Sequence, residues 1–140
     1  MIIKQIYTYN NYRNFNYLIG CSKTREAIAV DPLAYNLCLD EAKKNELNII
    51  AVINTHEHLD HTGGNDKIIK HTGAKLYAHH NAKNVIKDVD IGLKAGDKSK
   101  IGSTVNIDIL DTPVHTMSHV CLLVRGKEEA LFCGDTLFNA

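Results

Sequence analysis

Three short apolar runs in this chain each lead directly into side chains of the kind that bind metal ions. Ile49–Ile53 runs into Asn54-Thr-His56-Glu-His58-Leu-Asp60-His61-Thr-Gly63-Gly64. Val105–Leu110 runs into Asp111-Thr-Pro113-Val-His115-Thr, and Ala130–Cys133 runs into Gly134-Asp135-Thr. Runs of this length and composition read as strands, and Pro113 ends the pairing of the second one. A fold that uses all three groups must set those strand ends along one rim. Further strands are predicted at Ile2–Tyr7, Tyr17–Cys21, Ala27–Val30, Lys75–Ala78 and Val120–Val124. Helical spacing appears at Leu37–Glu46 and Asn65–His71, and less regularly at Asn81–Ile86, while Asn10–Asn16 reads as a turn. The pattern predicts a sheet-rich α/β layered structure.

Within residues 54–64, three histidines and an aspartate fall inside six positions. If the strand runs on in extended form, His56, His58 and Asp60 share a face and His61 points elsewhere unless the chain turns. Gly63-Gly64 makes such a turn easy. The set divides into His56 and His58 for one ion, and Asp60 and His61 for another. Imidazole nitrogens and carboxylate oxygens suit Zn2+, and mixed donors of this kind also suit Fe or Mn. Taken alone, His115 would be a solvated loop histidine and Gly134-Asp135 a turn; beside the first cluster both become candidate ligands.

Composition narrows the function classes. The 140 residues carry 16 basic and 16 acidic side chains, scattered along the chain, so no field draws it to nucleic acid or an anionic membrane. Met1–Asn10 alternates apolar and polar residues with no continuous apolar run, unlike a signal peptide, and nothing approaches the length of a membrane span. Cys21, Cys38, Cys121 and Cys133 are widely spaced with no C-x-x-C pair, so they are expected to be buried free thiols in a cytoplasmic protein. No linker, repeat or low-complexity block interrupts residues 1–140, which are expected to form a single domain.

The order His56-x-His58-x-Asp60-His61, then His115 in Thr-Pro-x-His-Thr, then Asp135 in Gly-Asp-Thr-Leu-Phe resembles the metallo-β-lactamase superfamily. Ala29-Val-Asp-Pro32, Thr55–Asn65, His115-Thr-Met-Ser-His119 and Leu131–Phe138 are most similar to its hydroxyacylglutathione hydrolase (glyoxalase II) branch. The resemblance implies an αββα sandwich, here its N-terminal half. It further implies that His56, His58 and His115 hold a first zinc, that Asp60 and His61 hold a second, and that Asp135 bridges the two. A metal-bound hydroxide would then attack a small-molecule thioester, with Asp60 in a catalytic, orienting role. Asp31 would lie close to the metal loop, with a hydrogen bond to a ligand. His119 matches a family histidine that is not a ligand. His71, His79 and His80 match no ligand position and are expected at the surface.

The chain departs from that family at its end. A last second-metal histidine and the expected glutathione-binding part lie beyond Ala140, which leaves the second site short of a ligand. A sheet built to pack against a missing layer would expose its apolar face. The chain is therefore expected to be incomplete relative to the family, or else to cover that face as a homodimer. Three functions stand open: a thioester hydrolase, a related acyl hydrolase or iron-dependent sulfur dioxygenase, and an inactive metal-binding half completed by a partner chain.

Overall fold

The structure is a computed structural model that describes residues 1–7, 15–55, 62–111, 120–126 and 128–132. Two sheets lie face to face. The larger contains β1 (Ile2–Tyr7), β2 (Phe15–Gly20), β3 (Glu26–Val30), β4 (Asn48–Ile53), β5 (Lys75–His79) and β6 (Ile91–Leu93), in that spatial order. Antiparallel pairing joins β1 to β2 and β2 to β3, whereas β3, β4, β5 and β6 run parallel. The smaller sheet is an antiparallel meander of β7 (Lys98–Ile101), β8 (Val105–Asp111), β9 (Val120–Arg125) and β10 (Glu129–Phe132).

Alternation along the strands builds two cores. Ile19, Ile28, Val30, Ala51 and Ile53 point toward the smaller sheet and pack on Ile107, Ile109, Leu122, Val124 and Phe132. Leu18, Ala27, Ala29, Ile49, Val52, Leu76 and Ala78 point the other way, under α1 (Tyr35–Lys44) and α2 (Asn65–Thr72). Each fully buried Ile, Leu or Val contributes about 1.5–3 kcal/mol, so these two layers supply most of the drive to fold. The parallel strands need both faces covered, which is why they read as near-continuous apolar runs.

One residue of β4 breaks the alternation. Ala27 pairs with Ile49 and Ile28 with Ala51, so Ile50 has no partner in β3 and is partly exposed. This extra residue swaps the faces of everything after it: Ala51 and Ile53 turn to the intersheet core and Val52 to the helices. It therefore determines which way Asn54 and Thr55 point at the rim.

Several sequence expectations shift. Asn16, assigned to a turn, lies within β2 and is buried; residues 10–14 of that stretch lie outside the described residues. Asn81–Ile86 is not an α-helix: His80–Asn84 form a 3-10 helix, at whose start the Asn81 N–H donates to the His79 side chain. Strands β6 and β7 had no sequence signal. β6 is three residues long with a central glycine, and β7 is a lysine-bearing edge strand with three exposed residues. On the outer face of the smaller sheet, Leu110 is 40% exposed and Leu123 and Leu131 are half-buried. Beside them Arg125 pairs with Asp108 at 3.1 Å. No helix among the described residues is long and apolar enough to cross a membrane.

Cys21, Cys38 and Cys121 are buried, Cys21 and Cys38 as free thiols, and Cys133 lies outside the described residues. Burial under the helical layer pushes the Cys38 thiol up to about 12 from 9.0. The folded protein keeps this proton to higher pH than the unfolded chain does, so stability is present below pH 9 and is lost as pH rises toward 12. The expected loss is about 1.4 kcal/mol per pH unit. Urea unfolding at pH 9, 10 and 11 should show this slope in the wild type and a shallower one in Cys38→Ala; parallel slopes would contradict it.

Candidate metal centre

The rim is built at the carboxyl ends of the parallel strands. Just past β4, the buried amides of Asn54 and Asn65 exchange hydrogen bonds. Asn54 Nδ2 donates to Asn65 Oδ1 at 3.1 Å, and Asn65 Nδ2 donates to Asn54 Oδ1 at 2.6 Å. This pair joins the end of β4 to the start of α2, on either side of residues 56–61. Thr55 bonds in a different direction. Its N–H donates to Asp31 Oδ1 at 2.8 Å, its hydroxyl donates to Asp31 Oδ2 at 2.7 Å, and its carbonyl accepts the Val120 N–H at 2.8 Å.

Asp31 is itself held from two sides. Its N–H donates to the Ile53 carbonyl at 3.0 Å, and its carbonyl accepts from Asn16 Nδ2. Asn16 Oδ1 in turn accepts the Ala34 N–H at 2.9 Å. Asp31 has φ 49°, a left-handed conformation that aspartate tolerates better than most residues. A hydrogen bond from Asp31 to a metal ligand would fall on residues outside the described ones; among the described residues, its carboxylate accepts from Thr55, the residue before His56. Sequence reasoning missed the roles of Asn16, Asn54, Thr55 and Asn65. Their signal was a set of amides and hydroxyls flanking the histidine cluster and the strand ends.

His56, His58, Asp60, His61, His115 and Asp135 lie outside the described residues, as does His119. The stems that carry them are described, and they meet. His56 is the residue after Thr55. Residues 112–119 join Asp111 to Val120, which are paired partners across β8 and β9, and Val120 is bonded to Thr55. Asp135 is three residues beyond Phe132, whose partner Leu122 is two residues from Val120. The stems of all three segments that carry candidate ligands therefore lie at one rim, from both sheets. The donor set of imidazoles and carboxylates fits zinc, and iron or manganese as well. Among the described residues, no group of three or more His, Cys, Asp or Glu side chains could hold a metal.

Residues 18–140 match the family model described as the metallo-beta-lactamase superfamily. The chain belongs to that superfamily. A hydroxyacylglutathione hydrolase from Nitrosococcus oceani is 56% identical over all 140 residues, which cover 53% of that protein. The protein named hydroxyacylglutathione hydrolase cytoplasmic from Arabidopsis thaliana is 38% identical over 130 residues, 91% of this chain and 50% of that one. Among solved structures, the B3 metallo-beta-lactamase BLEG-1 superimposes with a TM-score of 0.85 at 24% identity, covering 99% of this chain and 74% of that chain. Identity that low speaks for the fold. The chain spans about half the length of the curated relatives it matches.

On this metallo-β-lactamase scaffold one histidine departs from expectation. His71 and His80 are exposed, but His79 is only 1% exposed at the end of β5. Its Nδ1 accepts the Asn81 N–H at 3.0 Å and its ring stacks on His80 at 4.5 Å. It follows Tyr77 on the alternating pattern of a buried strand, and that phase is what a surface assignment overlooked. Beyond it, a cavity of about 270 Å³ opens between Thr62, Gly63 and Asp66 on one side and Val85 and Lys87 on the other. Its first two lining residues directly follow His61.

Proposed function

We propose that this chain carries the metal site of a hydrolase that cleaves thioesters of the hydroxyacylglutathione kind. The observation that carries the reading is 56% identity over all 140 residues to a relative bearing that name. In this reading His56, His58 and His115 would hold the first ion, Asp60 and His61 the second, and Asp135 would be shared by both. The bound metal, zinc by preference, would supply a hydrolytic nucleophile at neutral pH. Asp60 would orient the attacking water toward the thioester carbonyl. In the balanced reaction a C–O bond forms, the C–S bond breaks, and the departing sulfur leaves as a protonated thiol. The cavity beside Thr62 and Gly63 lies just below the roughly 300–1,000 Å³ of a full ligand site, so it has room for part of such a substrate. A cytoplasmic location belongs to the same reading, supported by the buried free thiols of Cys21 and Cys38.

The alternative reading is a metal-binding protein that turns over only with a partner chain. One experiment separates the two. The 140-residue chain is loaded with zinc and assayed against a hydroxyacylglutathione thioester, with an iron-loaded sample tested for oxygen uptake with a persulfide. The first reading expects slow, zinc-dependent thiol release. Zinc binding without any turnover selects the second reading, and oxygen uptake would replace both with a dioxygenase.

A further inference from the structure

The inner face of the smaller sheet packs on the larger sheet, and both helices lie on that larger sheet's far side. Among the described residues, neither helix packs on the outer face of β7–β10. Strand register gives that face its layout, because residues paired across a ladder share a face. Lys98, Asp108, Leu123 and Leu131 form one row from β7 to β10. Lys100, Asn106, Arg125 and Glu129 form the next, and Leu110 pairs with buried Cys121 in a third.

The two edges of this face differ in sign. On β7, Lys98 and Lys100 are exposed and form no ion pair among the described residues. On β10, Glu129 is exposed and follows exposed Glu128. Between the edges, Arg125 is met by Asp108 at 3.1 Å and by Glu129 at 3.9 Å, which leaves the centre near neutral beside the three leucines.

A second copy can be laid on this face by a two-fold axis in either of two directions. With the axis across the strands, β7 lies over β7 of the second copy, and lysines meet lysines. With the axis along the strands, between β8 and β9, β7 lies over β10 of the second copy and the rows stay in register. Lys100 then faces Glu129 of the second copy, twice by symmetry, and the Lys98 stem lies on Leu131. Charge therefore selects the second arrangement.

We propose that the outer face of the smaller sheet is a self-complementary dimer surface, which a second copy of this chain covers with its β7 over β10. The inference is independent of the metal-site reading. Four strands about 4.8 Å apart and about five residues long give a patch of roughly 19 by 17 Å. That is well under the roughly 800 Å² per partner of a tight complex, so the dimer is weak and concentration-dependent.

Sedimentation velocity of the full 140-residue chain, from micromolar to millimolar, is expected to show a reversible monomer–dimer equilibrium. The decisive variants are Lys100→Glu, Glu129→Lys and the two combined. Within one chain these positions lie three strands apart, roughly 14 Å. That exceeds the Debye length of about 8 Å at physiological salt, so coupling between them reports contact between copies. Each single reversal should weaken dimerisation about tenfold, since symmetry repeats the like-charge contact, and the combined variant should restore it. Leu123→Asp should abolish the dimer; urea unfolding checks that each variant is folded, and the charge variants carry the test alone if Leu123→Asp is not. A chain that stays monomeric across the range would overturn the proposal and leave the face to residues 133–140 or to a different partner. A dimer indifferent to the single reversals, or not restored by the combined variant, would overturn it as well.

Discussion

Gly64→Ala is expected to lower the melting temperature by about 10 °C. Gly64 sits at the start of α2 with φ −96°, an ordinary backbone conformation, so its glycine is not demanded by the turn. What demands it is proximity. A Cβ there would overlap the Pro32 carbonyl oxygen and lie 2.7 Å from the Leu33 carbonyl oxygen. These are backbone atoms, and the residue before them is Asp31, pinned through its amide, carbonyl and carboxylate. Relief would have to lift α2 off the sheet or drag the Asp31–Thr55 clamp with it. Overpacking of this kind costs about 3 kcal/mol, which the unfolding entropy of a 140-residue domain converts into the stated shift. Gly73→Ala is the comparison: its φ is +70° but the space around it is open, so the cost should be about 1 kcal/mol. Equal melting temperatures for Gly64→Ala and the wild type would show that the Pro32–Leu33 backbone yields.

The second large effect is chemical. His58→Ala should reduce zinc affinity by more than the roughly 10–100-fold expected for loss of an outer hydrogen-bonding partner, because it removes one of three imidazoles assigned to the first ion. Binding free energy at such a site depends on ligand count, and a missing imidazole is replaced by water. The stems on either side remain clamped through Asn54–Asn65 and Asp31–Thr55, so the metal-free protein should unfold at nearly the wild-type urea concentration. His71→Ala is the proper control. That ring is exposed and its Nδ1 is bonded to the Lys67 carbonyl of its own helix at 2.8 Å, whereas His79 is buried and its loss would disturb the rim. Unchanged zinc affinity and stoichiometry in His58→Ala would remove it from the ligand set.

The large features of the fold were readable because they rest on periodicity. Ile2–Tyr7 forms β1 over the span predicted, and Val105–Leu110 is extended by a single residue at its end. The helices at Asn65 and around Leu37–Glu46 are where apolar spacing puts them, within two residues. What stayed hidden was polar and long-range. Asn16 looked like one more asparagine in a turn, because its partners, Asp31 and Ala34, are fifteen and eighteen residues away. Gly64 looked like turn chemistry, because the Pro32 carbonyl that excludes a side chain is remote in sequence. The His56–His61 motif was visible in the sequence as a cluster of closely spaced histidines and an aspartate. The amides, hydroxyl and carboxylate that hold its ends were not, since their role exists only once the strands have paired.

Ile50 bears on how such a site could be moved. A histidine-rich loop of this type works in concert with the strand that feeds it, and what the strand passes on is a parity: odd positions to one side, even to the other, reversed by one surplus residue. Grafting residues 54–65 onto a foreign sheet would therefore require the host strand to match that count as well as to be apolar. A host of the wrong parity would hand the threonine to its helices and the asparagine to its partner sheet, with every residue of the motif present and none of its anchors in place.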